Sequence, residues 1–126
     1  MKRLIRNILL SIIATLIYVI LTPIAFLFTI IKFLIIDKTK LITILSDMFF
    51  KHAQGIDQTG NGTLFILFNA FFIKDDTIHP FGSVDETISS VLGVNKLKNN
   101  LTIVGKILDF ILSLLDENHT IKSIGN

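Results

Sequence analysis

The chain has 126 residues, 51% of them hydrophobic and 17% charged, where a soluble domain carries about a quarter charged. That length allows one small domain plus an anchor, and the shortfall in charge suggests lipid contact. The net charge of +2 is unevenly spread: residues 1–36 carry Lys2, Arg3, Arg6 and Lys32 with no acid, whereas residues 37–126 carry eight Lys against ten Asp or Glu. The basic character therefore belongs to the N-terminal segment, which suits anionic headgroups. No basic patch with interleaved aromatics follows, so nucleic acid is not an expected partner. The absence of cysteine excludes disulfides, thiolate nucleophiles and Cys-based zinc sites.

From Asn7 to Thr29 the chain runs without a charged residue, and apolar character continues past Lys32 to Ile36. About 20 apolar residues span a bilayer core, so residues 1–36 are expected as a single-pass transmembrane anchor. The run is too long for a signal-peptide core and no small-residue cleavage pattern closes it. Pro23 is expected to kink the helix. A hairpin turning there is disfavoured, because its second half would have 13 residues and contain Lys32. Basic residues flank both ends, leaving orientation open.

Residues 37–53 come next. Leu41, Ile44, Leu45, Met48 and Phe49 recur at helical spacing, predicting an amphipathic juxtamembrane helix. Residues 54–63 are rich in Gly, Asn and Gln and are expected as a linker. Residues 64–126 form the rest, a small three-helix module that completes an all-α fold. Its first helix is the apolar run Leu64–Ile73, interrupted by Asn69, whose amide is expected in a packing or capping contact. The second opens on Ser83-Val84-Asp85-Glu86, which reads as a capping box, and stops at Gly93. In the third, Leu101, Val104, Leu108, Ile111 and Leu115 form an apolar stripe opposite Thr102, Lys106, Asp109, Ser113 and Asp116. The tail from Glu117 is polar and expected to fray. Asn61, Asn100 and Asn118 begin N-x-T sequons, which matter only in a secretory context.

Several stretches resemble small bacteriophage and prophage proteins: Leu67-Phe68-Asn69-Ala70-Phe71, Asp85-Glu86-Thr87-Ile88-Ser89-Ser90, Gly105-Lys106, and Leu115-Asp116-Glu117-Asn118-His119 with Ser123-Ile124 following. The resemblance covers residues 67–124. It implies a phage or prophage origin and brings no activity with it. Relatives of this pattern often place Cys directly after the His, where this chain has Thr120, so any chemistry of that thiol is lost here.

The sharpest site hypothesis joins Asp85, Glu86, Ser89 and Ser90 on one helix to Asp116 and His119 at the end of another. Asp85 with Ser89, and Glu86 with Ser90, are four apart and share a helix face. Asp116 and His119, three apart, can hydrogen-bond and orient the imidazole. Convergence of Asp85, Glu86, Asp116 and His119 would suit a divalent metal, the one cofactor these residues could hold. Glu86, Asp116 and His119 would then be the catalytic set of a membrane-tethered hydrolase. The structural alternative is stronger at each position: acids suit a first helical turn, and an imidazole suits a helix C-terminus. His52 and His79 are assigned no role. No phosphate loop or nucleophile-elbow motif is present.

The preferred functional expectation is a non-enzymatic membrane or virion component, in the host inner membrane or a virion membrane. It would act through lipid, through a second copy, or through another phage or host membrane protein. The hydrolase and a holin-like lysis protein are the alternatives.

Overall fold

The computed structural model describes Met1–Gly125. It is all-α among these residues, with six helices: α1 (Lys2–Ile36), α2 (Lys38–Thr63), α3 (Phe65–Phe72), α4 (Ile88–Leu97), α5 (Ile103–Leu115) and α6 (His119–Lys122). The chain divides into two compact units, Met1–Phe50 and Lys51 onward.

In the first unit α1 runs unbroken for 35 residues, through Pro23. It has no buried residue, and it is long and apolar enough to cross a membrane. Two of its hydroxyls are answered locally. The hydroxyl of Thr22 donates to the Tyr18 carbonyl at 2.6 Å and that of Thr29 to Ala25 at 2.8 Å, so neither demands a partner outside the helix. The turn falls at Asp37, in extended backbone. Its carboxylate accepts from the Thr39 amide and hydroxyl at 3.1 and 2.5 Å, an N-terminal cap for α2. Phe26 meets Phe49 with ring centroids 4.8 Å apart; Leu41, Ile44, Leu45 and Met48 are half-buried as their spacing predicts, whereas Phe49 of the same stripe is exposed.

The second unit corrects three sequence expectations. First, residues 54–63 are not a linker but the last turns of α2. The glycines there serve packing instead of turning: a Cβ on Gly60 would lie 3.0 Å from Ile88, and one on Gly62 only 2.4 Å from Val84. Second, α4 starts at Ile88 with Thr87 as its cap, the Thr87 hydroxyl accepting from the Ser90 amide at 3.1 Å. Ser83 instead accepts from the Asp85 amide, so the capping box does not form. The helix continues past Gly93 to Leu97. Third, the tail does not fray at His119–Lys122, which is helical, and Thr120 is fully buried.

The apolar core is small: Ile73, Phe81, Val91, Leu92 and Leu101, with Phe68, Phe72, Ile88, Leu108 and Leu112 against it. Buried polar residues outnumber these five buried apolar ones: Asn61, Thr87, Ser89, Ser90, Asn95, Asn100, Asp109 and Thr120. A unit this size buries little apolar surface, and a hydrogen-bonded interior then specifies the packing. Four asparagines do most of that work by clamping the α3–α4 loop. Asn69 accepts from the Phe81 amide at 2.8 Å and donates to its carbonyl at 3.1 Å. Asn100 pairs with Asp75 in the same two-bonded way, at 3.1 and 2.7 Å. Asn95 donates to the His79 carbonyl at 2.7 Å. Asn61 accepts from the Gly82 amide at 2.8 Å and donates to the Glu86 carbonyl at 2.7 Å. Asn61→Ala removes both anchors of the Gly82–Glu86 stretch, with an expected loss of about 2 kcal/mol. Hydrogen exchange should register it at Gly82 before it registers at Phe81, which Asn69 still holds.

A short antiparallel bridge between Ile73 and Leu101 ties α3 to α5, with Lys74 N–H donating to Asn100 and Thr102 N–H to Phe72. Helix α5 departs from its sequence reading in one respect. Asp109 is buried, not on a solvated stripe, whereas Ile111 and Leu115 of the expected inward stripe are exposed.

Candidate functional site

The predicted site residues fall into separate groups. Glu86 lies in the loop before α4, not on it, and its carboxylate is the centre of one group. Ser90 donates to it at 2.7 Å, and the Nε2 of His79 lies 3.0 and 3.1 Å from its two oxygens. Ser90 is fully buried and its hydroxyl accepts from the Gly125 amide at 3.1 Å. Ser89 belongs to a different contact: its hydroxyl and amide donate to Asp57 at 3.1 and 3.4 Å, and Ile88 N–H adds a third bond at 3.2 Å. Asp57 thus supplies a carboxylate to the N-terminus of α4, where the helix dipole favours negative charge. Asp85 is exposed.

Asp116 and His119 do approach one another, with Nδ1 3.4 Å from a carboxylate oxygen. The stronger partner of Asp116 is Lys122, at 2.6 Å. Asn118, in left-handed backbone at φ 57°, makes the turn that brings His119 and Lys122 back toward Asp116. Asparagine tolerates that region better than most residues.

Asp85, Glu86, Asp116 and His119 are therefore not one constellation. Among the described residues no three His, Cys, Asp or Glu side chains group in a way that could hold a metal ion. Nor does the Glu86 group have the order of a nucleophilic triad, in which the base sits between the hydroxyl and the carboxylate. Here the carboxylate is in the middle. The Ser90 hydroxyl donates a hydrogen bond to Glu86 and is closed off from solvent, while His79 faces the carboxylate from the other side. That arrangement ties Gly125 to α4 and leaves no activated oxygen.

A third group was missed by sequence reasoning. Asp109 accepts from Lys96 at 2.9 Å and from the Thr120 hydroxyl at 2.5 Å, joining α4, α5 and α6. Thr120 is a buried hydroxyl with a carboxylate partner. His79 was missed for a plain reason. Seven residues is a helical spacing, but Pro80 and Gly82 stand between it and Glu86, and only the closed loop brings the two together. Asp57 and Asn61 carried a weak signal, four apart on one face of a helix that the local glycines disguised.

The Lys122 ammonium, and after it His119, hold the Asp116 carboxyl below its usual value of 3.8. A depressed folded-state pKa contributes stability that is fully present above the unfolded value and lost as pH falls through the folded one. The α5–α6 turn is accordingly expected to loosen only below pH 3.8. An NMR titration of the Asp116 carboxyl carbon reads the midpoint, which should move up toward the ordinary value in Lys122→Met. A wild-type midpoint at or above that value contradicts the pairing.

No protein family, curated protein or solved structure matches this chain.

Proposed function

We propose that the chain is a single-pass membrane protein of phage or prophage type whose C-terminal unit works by contact and not by catalysis. The observation that carries the reading is α1: 35 residues with every face apolar and none buried. A soluble core helix hides at least one face, and an aqueous helix of this composition would expose far more apolar surface than a monomer tolerates. The bilayer removes that cost. The polar side chains of the second unit support the rest of the reading, because its buried amides, carboxylates and, Ser113 apart, hydroxyls are engaged in holding loops and helix ends. Such a unit is a scaffold for a surface.

Alkaline carbonate extraction of cells or virions tests this. The protein should stay with the membrane pellet, and after mild detergent it should migrate as an assembly larger than one chain. Release into the supernatant as a monomer contradicts both parts.

A further inference from the structure

The outer face of α5 carries a narrow apolar seam. Ile103, Ile107, Phe110 and Leu114 run along its middle, each between 53% and 78% exposed. At 100° per residue they fall within an arc of about 60°. The opposite side is closed: Gly105 and Asp109 are buried, and Leu108 and Leu112 pack on the core. The four seam residues are separated by four, three and four positions, the alternation of a coiled-coil seam. That spacing reads the same in both directions. A second α5 laid antiparallel on the first therefore sets Ile103 against Leu114 and Ile107 against Phe110, each pair occurring twice about a two-fold axis. Val104 and Ile111, exposed on one flank of the seam, fall on the same side of such a pair.

The charges at the two ends of α5 select among occupants. Toward its N-terminal end stand the exposed lysines Lys74, Lys98 and Lys106, against the exposed acids Asp75 and Asp76. The Asp75 carboxylate is already occupied within its own loop, accepting from the Thr77 amide and hydroxyl at 2.8 and 2.7 Å. The C-terminal end has Asp116 and Glu117 against Lys122, all exposed or largely so. One end is thus net positive and the other net negative. Antiparallel pairing brings each positive end to the partner's negative end, with Lys98 at about the level of Glu117. Parallel pairing would set like ends together. An anionic bilayer would attract one end and repel the other, and it has no use for a seam that is symmetric along its length.

We propose that α5 pairs antiparallel with α5 of a second copy of this chain. Six side chains from each copy make a small interface beside the roughly 20–30 residues a side of a standard one. The pairing therefore rests on the reading of α1 as a span, which confines both copies to one bilayer and raises their effective concentration. The chain has no cysteine, so Ile103→Cys and Leu114→Cys, both at exposed positions, serve as single reporters in two full-length proteins with different tags. The two are co-expressed, and the membranes are treated with a short bis-maleimide. The mixed 103–114 product should exceed the 103–103 and 114–114 products severalfold. Lys98→Glu or Glu117→Lys alone should lower its yield severalfold, and the two together in one chain should restore it. Dominant 103–103 and 114–114 products would mean a parallel pair and overturn the proposal, as would charge reversals without effect. If the protein stays in the membrane after alkaline extraction but links to no second copy, or only to a different protein, the pairing is overturned and the span stands. Release from the membrane overturns the span, and the confined pair with it.

Discussion

Lys96→Met is expected to destabilise the second unit by about 3 kcal/mol, because it leaves the Asp109 carboxylate buried with only Thr120 for support. Asp109 is 8% exposed, and its ammonium partner lies 2.9 Å away. Breaking such a pair typically costs 3–5 kcal/mol, roughly; the lower figure applies here because the Lys96 side chain is 32% exposed and part of the pair is already screened. Asp109→Asn should cost less, since it removes the charge while keeping an acceptor for the buried Thr120 hydroxyl. A unit of this length has roughly 4–11 kcal/mol to lose in all, so the loss is a large share. Hydrogen exchange on the full-length protein should show it in α4, α5 and α6 together, the three elements that the Lys96–Asp109–Thr120 chain connects. A Lys96→Met protein with wild-type protection there would mean that the carboxylate is solvated.

Gly93→Ala is the second large effect. A Cβ at this position would stand 2.1 Å from the Thr120 carbonyl oxygen and 2.7 Å from its carbon. Both are backbone atoms that no rotamer change can move away, so α6 must leave its place on α4. The expected loss is about 3 kcal/mol, at the upper end for overpacking. The Thr120 hydroxyl then loses its burial, and the Gly125 amide its bond to Ser90. Protection should fall in α6 and residues 123–125 first, with α3 retained. The same substitution at Gly55, where nothing lies within 4 Å, should instead stabilise α2 by about 0.5–1 kcal/mol through helix propensity alone. Opposite signs for one chemical change, measured side by side, separate packing from propensity. Equal effects would contradict the close contact at Gly93.

These two positions also show what the sequence could and could not express. Long periodic segments were legible: the apolar run of α1, the half-buried stripe on α2, and the existence of helices over α3, α4 and α5. Each is dictated by local composition. Glycine was misread twice. Gly93 suggested a helix stop, and Gly55, Gly60 and Gly62 suggested a linker, because a missing side chain signals a turn and a close approach in the same letter. Only tertiary contact tells them apart, as Thr120 does for Gly93 and Val84 for Gly62. The polarity of α5 was read upside down at Asp109 for a related reason. Period places an acid opposite Leu108 and Ile111, but it cannot reveal that Lys96 and Thr120 wait on the inner side. Of the candidate site, the Asp116–His119 approach was visible from spacing. The pairing of Glu86 with His79 was not, since it depends on a loop that four asparagines hold in shape.

Both proposals depend most directly on α1 remaining part of the protein in the membrane. The decisive measurement is the intact mass of the chain recovered from the membrane fraction after alkaline extraction. A species that carries every residue of α1 is the result predicted for a retained anchor. A shorter species that begins beyond α1 would make the apolar helix a removed leader, and the membrane reading would fall with it.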